Sequence, residues 1–247
     1  VSALGISADG FIRSSSDAHR EGASRFWQAC RPDDISLERY QGLYCVGCED
    51  FYLDRDLVDG RCPTHNVETD VVEEENYFFR LSRYQKQVED LLESGGLQVV
   101  PEARRNEALG FVHQGLRDFS ISRIRERSGG WGIQVPGDPS QVLYVWFDAL
   151  TNYLTGIGYG SQSGRYSRYW ADGARKLHVI GKDILKFHAV YWPAMLLSAG
   201  LPLPDTILVH GFLTVEGQKI GKSLGNAVDP LPLIDRYGSE ALRYYLL

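Results

Sequence analysis

Four residues in the first half of the chain have the types and spacing of metal ligands. Cys45 and Cys48 form a Cys-x-x-Cys pair, and thirteen residues later Cys62 and His65 form a Cys-x-x-His pair. Three thiolates and one imidazole complete a tetrahedral shell with no open position for water, so the spacing predicts a structural Zn²⁺ site. A pair of disulfides would leave an odd cysteine, and a redox Cys-x-x-Cys would not need the second pair. Cys30 is expected to be an ordinary small buried residue.

The few lysines are concentrated where they could reach a phosphate. The chain has 20 arginines and six lysines, and four of the lysines lie in "GKDILK" and "GQKIGKS". Lys219 and Lys222 bracket Ile-Gly in the second segment, where Gly221 keeps the loop flexible. Ammonium groups on long stems can neutralise charge that develops on a nucleotide's phosphates during displacement. The alternative is a solvated lysine pair.

Two aromatic stripes at helical spacing could enclose a slot for an apolar, unbranched side chain. Their members are Trp146, Ala149, Leu150 and Tyr153 in one segment, and Ile184, His188 and Trp192 in the other. The alternative is that both stripes are plain core. His188 stands against it, because a polar group between apolar positions needs a hydrogen-bond partner when buried.

Short apolar runs precede these segments and predict the elements that position them. The runs are "VLYVWF", "KLHVIG" and "TILVHGF", starting at residues 142, 176 and 206. Such runs suit buried parallel strands of a doubly wound α/β fold, in which ligands bind beyond the carboxyl ends of the strands. The segment "FLTVEGQKI" is predicted to be a hairpin with Glu216-Gly217 in its turn.

The first half is expected to be an inserted module without a catalytic set. Its acidic run "ETDVVEEEN" (68–76) is predicted to be a solvated loop. In "RLSRYQKQVEDLLESGG" (80–96) one helical face is apolar, and Gly95 and Gly96 end the helix.

Composition excludes some classes of function. The net charge of −6 argues against nucleic-acid binding over the whole surface, although "RIRER" (123–127) with Arg104, Arg105 and Arg117 is a local candidate. The alternative for that group is a solvated helix face. No segment approaches the roughly 18 apolar residues that span a bilayer, and no signal-peptide pattern opens the chain. We therefore expect no membrane partner and a reducing, cytoplasmic location.

Together these segments resemble a family. "KIGKS" is similar to the second signature of class I aminoacyl-tRNA synthetases, Lys-Met-Ser-Lys-Ser, with Ile220 and Gly221 in place of methionine and serine. From about residue 40 onward, the chain is most similar to the methionyl-tRNA synthetases. The matching segments, in order, are "YCVGCEDFY", "CPTH", "ENYFFRLS", "DFSISR", "YVWFDALTNYL", "HVIGKDILKFHAVYWPAML", "HGFLTVEG" and "LGNAVDP".

The resemblance implies a role for each matching residue. The methionine pocket would be lined by Trp146, Ala149, Tyr153, Ile184, His188 and Trp192. ATP would be bound by Gly181, Asp183, His210, Gly211 and Lys222. Catalytic charge stabilisation would come from Lys219, Lys222 and Arg123. The implied ligands are L-methionine, ATP with Mg²⁺, tRNA(Met) and a structural Zn²⁺; the sequence leaves the oligomeric state undetermined.

The resemblance also implies a division of the chain. Residues 1–35 would end the first nucleotide-binding half, 36–141 would be the zinc-bearing connective insertion of a Rossmann-like core, 142–213 the second half, and 214–247 the lysine loop with the start of the stem-contact segment. No His-x-Gly-His, the first signature of the class, occurs in the chain. We therefore expect a core piece of a methionine-activating ligase that is inactive alone. The alternatives are a non-catalytic synthetase-like protein that binds tRNA or a partner, and an unrelated zinc-ribbon module.

Overall fold

A computed structural model describes residues 2–47, 50–52, 54–221 and 225–246 of the chain. The α-helices are α1 (Asp17–Ala29), α2 (Gln85–Ser94), α3 (Glu102–His113), α4 (Val145–Thr155), α5 (Trp192–Ser198), α6 (Pro230–Tyr237) and α7 (Ser239–Leu246). The strands are β1 (Ile35–Cys45), β2 (Asp50–Tyr52), β3 (Asp70–Phe79), β4 (Gln98–Val100), β5 (Phe119–Ser120), β6 (Ser122–Ile124), β7 (Gln134–Val135), β8 (Asp138–Leu143), β9 (Leu177–Gly181), β10 (Thr206–His210), β11 (Thr214–Val215) and β12 (Gln218–Lys219). Short 3₁₀ turns lie at Ser2–Leu4, Pro32–Asp34, Asp54–Asp56, Leu81–Tyr84 and Lys182–Ile184, and π-helical turns at Ser167–Ala171 and Phe187–Tyr191.

A parallel sheet forms the centre of the mixed α/β fold, as predicted. Its order is β4-β10-β9, and both pairings are parallel. The runs "KLHVIG" and "TILVHGF" supply β9 and β10. The third strand, β4, comes from within the range 36–141 that the sequence assigned to an insertion. Val99 and Leu97 there share one hydrophobic core with Ile207 and Val209, so this part of the range packs with the parallel sheet.

The run "VLYVWF" is not a parallel strand, which corrects the sequence prediction. β8 ends at Leu143 and pairs antiparallel with β6 and β7 in a separate sheet, and α4 begins at Val145. A short continuous apolar run does not distinguish strand from helix by periodicity. Here the helical spacing of Phe147 and Leu150, both buried, determines the structure from Val145 onward.

The acidic run is also not a solvated loop. It lies largely in β3, which pairs antiparallel with β1 from Ile35 opposite Phe79 to Tyr44 opposite Asp70. Glu74 points inward with 4% of its surface exposed, and its carboxylate pairs with the Arg127 guanidinium at 2.9 Å. The loop prediction was wrong because a partner 53 residues away neutralises this charge.

Other local predictions are confirmed. The stretch from Leu81 through α2 buries its apolar face, and Gly95 caps α2 at φ 76°. β11 and β12 form the predicted hairpin, whose turn residues Glu216 and Gly217 have φ values of 51° and 77°. Two positive φ angles in a two-residue turn match the twist of paired strands.

Within the described residues, no helix is long and apolar enough to cross a bilayer.

Candidate active site

One helical segment connects two groups of predicted site residues. It starts at the carboxyl end of β9 with the 3₁₀ turn Lys182–Ile184, continues through the π-helical turn Phe187–Tyr191, and ends in α5. Asp183 therefore lies at the sheet edge, and His188 lies a turn further into the core. π-helical turns shift side-chain register within a helix and are frequent at functional sites.

The first group lies at the carboxyl ends of β9 and β10. Gly181 and His210 are register partners in this parallel pair. A Cβ on Gly181 would lie 2.9 Å from the Asp183 carboxylate and 3.7 Å from the His210 ring, so glycine keeps this edge open. The exposed His210 ring contacts the Gly211 carbonyl at 2.7 Å. The four residues predicted to contact the nucleotide outside the lysine loop therefore lie together at this edge. They are Gly181, Asp183, His210 and Gly211.

The lysine hairpin reaches this edge. Lys219 Nζ lies 3.1 Å from Asp183 Oδ2. The ammonium groups of Lys219 and Lys182 each lie 4.2 Å from the centre of the Phe212 ring. The prediction for Lys222 falls outside the described residues. Two lysine ammonium groups therefore lie against the Phe212 ring. The sequence did not indicate Phe212 as a site residue.

The second group is a hydrogen-bonded aromatic cluster. His188, 2% exposed, contacts the Ile184 carbonyl through Nδ1 at 2.9 Å and the Tyr153 hydroxyl through Nε2 at 2.8 Å. A carbonyl only accepts, so Nδ1 carries the proton and Nε2 accepts from Tyr153. Burial lowers the pKa of His188 despite the contact with Ile184, and burial raises the pKa of Tyr153, so both side chains are neutral at pH 7.

Trp146 and Trp192 complete the cluster in different ways. Trp146 is partly buried and stacks on Phe187 with ring centres 3.8 Å apart, and its ring is nearly perpendicular to the His188 ring at 6.4 Å. Ala149 lies partly buried one turn further along α4. Trp192 is fully buried and packs on Phe26 as well as on Tyr153. At Trp192 the plain-core alternative is therefore as well supported as a lining role.

Sequence reasoning missed two buried histidines behind this cluster. The His178 ring packs edge-on against Tyr153 at 3.9 Å, and within the described part of the chain neither of its nitrogens has a hydrogen-bond partner. Burial and the nearby His188 lower the pKa of His178 to about 3. His19 on α1 contacts Thr155 Oγ1 at 2.7 Å and the Asp148 carboxylate. These two contacts link α1 to α4. The alternation in "KLHVIG" was a usable signal, because His178 and Ile180 face the same side of β9.

Arg123 packs against Tyr144 and lines a cavity next to the second group. Its guanidinium stacks over Tyr144 at 4.2 Å and donates to Ser120 Oγ and the Ser122 carbonyl, each at 2.8 Å. It lines a cavity of about 400 Å³ together with Phe187. Phe187 also stacks on Trp146, so this cavity adjoins the aromatic cluster of the second group.

Three of the four predicted metal ligands converge. The ligand atoms of Cys45, Cys62 and His65 lie within 4.8 Å of one another, with His65 Nδ1 at 3.8 and 3.9 Å from the two sulfurs. The prediction for Cys48 falls outside the described residues. Burial raises the pKa of the Cys62 thiol, but hydrogen bonds from the His65 and Thr64 backbone and contacts with Cys45 and His65 outweigh it and lower the pKa to about 6.

The parallel sheet has polar residues at its strand ends, and the lysine hairpin and the aromatic cluster lie next to that edge. This is the arrangement of an α/β nucleotide-binding protein. The family model described as "tRNA synthetases class I (M)" matches residues 1–72 and 66–247. The chain belongs to this family.

Similar proteins agree with the family assignment. The chain is 51% identical over 254 residues to a methionine–tRNA ligase of Nostoc sp. and 48% identical over 251 residues to that of Thermosynechococcus vestitus; each match covers 99% of this chain and 46% of the relative. The structure is similar to Mycobacterium tuberculosis methionyl-tRNA synthetase bound by methionyl-adenylate, with TM-score 0.88, 45% identity, and coverage of 99% of this chain and 48% of that one. The chain thus spans about half the length of the relatives it matches.

Proposed function

We propose that this chain is the core of an enzyme that activates methionine with ATP and transfers it to tRNA(Met). The observation that carries the proposal is the hydrogen-bonded series Tyr153–His188–Ile184, which one helical segment joins to Asp183 at the sheet edge. An apolar slot with a few placed polar atoms, next to a nucleotide edge, suits an enzyme that joins an amino acid to a nucleotide. In the complete enzyme we expect a doubly wound, Rossmann-like sheet interrupted by the zinc-bearing segment.

In the first step, a carboxylate oxygen of methionine attacks the α-phosphorus of ATP, and the bond to pyrophosphate breaks. Mg²⁺ bound with ATP would neutralise phosphate charge. The rings of Trp146 and Tyr153 suit a polarisable thioether, and the neutral His188 holds the Tyr153 hydroxyl in one orientation. Asp183 would accept from ribose hydroxyls, with Gly181, His210 and Gly211 next to the adenosine. Lys219 and Lys222 would stabilise the departing pyrophosphate.

In the second step, a terminal ribose hydroxyl of tRNA attacks the methionyl carbonyl carbon, the bond to the adenylate phosphate breaks, and the hydroxyl proton passes to a phosphate oxygen of the released AMP. Arg123 would hold the adenylate from the cavity side. No protein nucleophile is needed, since positioning and charge stabilisation supply most of the rate.

Amino-acid-dependent ATP–pyrophosphate exchange by the complete polypeptide tests this proposal. Methionine should support exchange, and leucine, isoleucine, valine and cysteine should not. Exchange that prefers one of those four would overturn the substrate assignment. tRNA binding without exchange would favour the alternative, a non-catalytic synthetase-like protein, for which the replacement of serine by Gly221 in the lysine loop is a favourable observation.

We also propose a structural Zn²⁺ on Cys45, Cys48, Cys62 and His65. Tetrahedral Zn²⁺ with usual bond lengths separates sulfur and nitrogen ligands by about 3.6 Å, close to the distances from His65. The lowered pKa of Cys62 favours the thiolate that a metal requires. A Cβ on Gly47 would lie 3.0 Å from the His65 ring, so glycine makes room for the ligand.

Metal analysis and chelation test the zinc proposal. About one Zn²⁺ per chain should be bound in the wild type and lost in Cys62→Ser, whereas Cys30→Ser should retain it. Chelation should raise hydrogen exchange around residues 45–65 and leave the amides of β9 and β10 protected. A metal-free protein with the same exchange pattern would contradict the site.

A further inference from the structure

A buried histidine on α1 joins two turns of helix α4. His19 is fully buried, and both of its ring nitrogens have a partner on α4. Nδ1 lies 2.7 Å from Thr155 Oγ1, and Nε2 pairs with the Asp148 carboxylate. Asp148 and Thr155 are two helical turns apart and therefore lie on one face of α4. One imidazole thus fixes both the rotation of α4 about its axis and its position along that axis.

A different face of α4 carries three residues of the proposed methionine slot. Because an α-helix turns once in 3.6 residues, Trp146, Ala149 and Tyr153 share a face that is turned away from the contacts of His19. A small rotation of α4 would therefore move all three side chains together. It would also change the hydrogen bond between the Tyr153 hydroxyl and His188 Nε2, which are 2.8 Å apart.

The contacts of His19 are directional, unlike the apolar packing around them. Among the residues that the structure describes, the Asp148 carboxylate has no other ion pair or hydrogen bond, although only 20% of its side chain is exposed. The Thr155 side chain is buried as well. Hydrogen bonds weaken steeply with misalignment, whereas apolar contacts tolerate sliding. The imidazole therefore holds α4 in one orientation more strictly than the surrounding core does.

The packing of α1 brings the histidine to this place. A Cβ on Gly22, one turn after His19, would lie 2.3 Å from the methyl carbon of Thr155, so glycine lets α1 approach α4 closely. Phe26 packs on a ring of α4 and on Trp192 of α5, with ring centres 5.4 and 5.5 Å apart. Helix α1 thus supports both helices of the slot from behind.

We propose that His19 is a positioning residue of the methionine slot, which sets the affinity for methionine by holding Asp148 and Thr155. The assignment rests on the proposed function. His19 acts through α4 and takes part in no bond-making step. The nucleotide edge belongs to the ends of β9 and β10, so the same residue leaves the affinity for ATP unchanged.

ATP–pyrophosphate exchange by the complete polypeptide tests the proposal through the two KM values. His19→Ala removes both contacts, and the KM for methionine should rise about tenfold, the size expected for two buried hydrogen bonds. The rate at saturating methionine should stay within about twofold of the wild type, and the KM for ATP should not change. A loss of folded protein would instead lower the rate and leave both KM values unchanged, because each remaining folded molecule binds normally.

Two milder variants separate the contacts. His19→Gln places an amide donor close to the position of Nε2, so the contact with Asp148 is kept and the KM for methionine should return to within about threefold of the wild type. Thr155→Val has nearly the same shape as the wild type and removes only the contact with Nδ1, so this KM should rise about threefold. These variants keep the proposal measurable even where His19→Ala does not fold.

The matched control removes a buried hydrogen bond elsewhere. Tyr84 is buried, and its hydroxyl donates to the Asp34 carboxylate. Tyr84→Phe should therefore lower stability and leave the KM for methionine unchanged. Equal methionine KM values in the wild type, His19→Ala and Thr155→Val would overturn the proposal. A rise in Tyr84→Phe as large as that in His19→Ala would also overturn it, because any loss of stability would then produce the effect.

Amide hydrogen exchange separates this proposal from the proposed function. In His19→Ala the amides of residues 145–155 should exchange faster, and those of β9 and β10 should keep their wild-type rates. Unchanged amide exchange in α4 would overturn the proposal whether or not the protein is active. Methionine activation with the same KM in the wild type and in His19→Ala would keep the proposed function and remove the positioning role. Activation of a different amino acid, with a KM that His19→Ala raises, would remove the methionine assignment and keep His19 as the positioning residue of the slot.

Discussion

At the residue scale, the candidate site depends on polar atoms that burial and hydrogen bonds hold in one protonation state. His188 is neutral, with a defined tautomer, because a carbonyl fixes the proton on Nδ1 and burial lowers its pKa. Tyr153 therefore donates in one direction, and the orientation of its ring is set by His188 on one side and His178 on another. The sequence indicated His188 and Tyr153 as site residues but did not indicate His178.

Removing the Tyr153 hydroxyl tests its assignment to the methionine slot. In Tyr153→Phe, the Nε2 atom of His188 loses its donor and the slot loses a polar atom. We expect the KM for methionine in ATP–pyrophosphate exchange to rise about tenfold, equivalent to about 1.4 kcal/mol. The control is Tyr166→Phe, a partly buried tyrosine outside the cluster, which should leave that KM unchanged. Equal methionine KM values in both variants would remove Tyr153 from the slot.

His178 predicts how stability responds to acid. Between pH 6.5 and about 3, the unfolded chain binds a proton at His178 that the folded chain does not, because the folded pKa is lowered to about 3. The free energy of unfolding should fall with decreasing pH, with up to about 1.4 kcal/mol per pH unit from this group. Denaturant titrations at several pH values should show a shallower slope for His178→Phe. The control, His210→Asn at an exposed position, should keep the wild-type slope; an unchanged slope in both would contradict the lowered pKa.

At the element scale, distant partners determine which segments become strands. β3 carries four acidic residues between Asp70 and Glu75, a composition that disfavours strands. It forms a strand because β1 pairs along its length, and because Arg127 reaches the one carboxylate, Glu74, that the pleat turns inward. β4 likewise joins the parallel sheet through β10, more than 100 residues away.

The Glu74–Arg127 pair should matter for stability in proportion to its burial. In Arg127→Met, a carboxylate that is 2% exposed loses its cation while Asn76 still donates to it. We expect a loss of about 2 kcal/mol in the free energy of unfolding, measured by urea denaturation. The matched control is Arg39→Met, which breaks the exposed pair with Glu75 at 3.7 Å and should cost less than about 1 kcal/mol. Similar losses in both variants would show that burial of Glu74 does not decide the effect.

At the scale of the whole molecule, the strand ends of the parallel sheet, the segment 182–198 and the hairpin 214–219 meet at one place. The sheet edge presents Asp183 and His210, the helical segment continues to His188, and the hairpin returns Lys219 to Asp183. The contact of the hairpin with the edge is exposed, with about half of each side chain in solvent. Such a contact can open and close without unfolding the core.

Because this contact is exposed, the variant Lys219→Ala distinguishes a role of Lys219 in catalysis from a role in stability. The exposed pair with Asp183 contributes at most about 1 kcal/mol, so the melting temperature should change by only a few degrees. If Lys219 stabilises the leaving pyrophosphate as proposed, the rate of ATP–pyrophosphate exchange at saturating methionine should fall at least about tenfold. Lys86→Ala, which breaks an exposed pair with Asp90, should leave exchange unchanged. A large fall in melting temperature with normal exchange would assign Lys219 a structural role instead.

The sequence alone determined the features whose physical cause is local. Ligand spacing in a tight turn placed Cys45, Cys62 and His65 together, and apolar runs with turn residues gave β9, β10 and the β11–β12 hairpin. Only the tertiary structure decided that β4 joins the sheet, that an acidic run is a strand, and that "VLYVWF" divides between an antiparallel strand and a helix. It alone brought His178 to Tyr153 and placed His19 against Asp148 and Thr155. Pairing, burial and charge neutralisation in these cases depend on residues tens of positions away, which local periodicity does not encode.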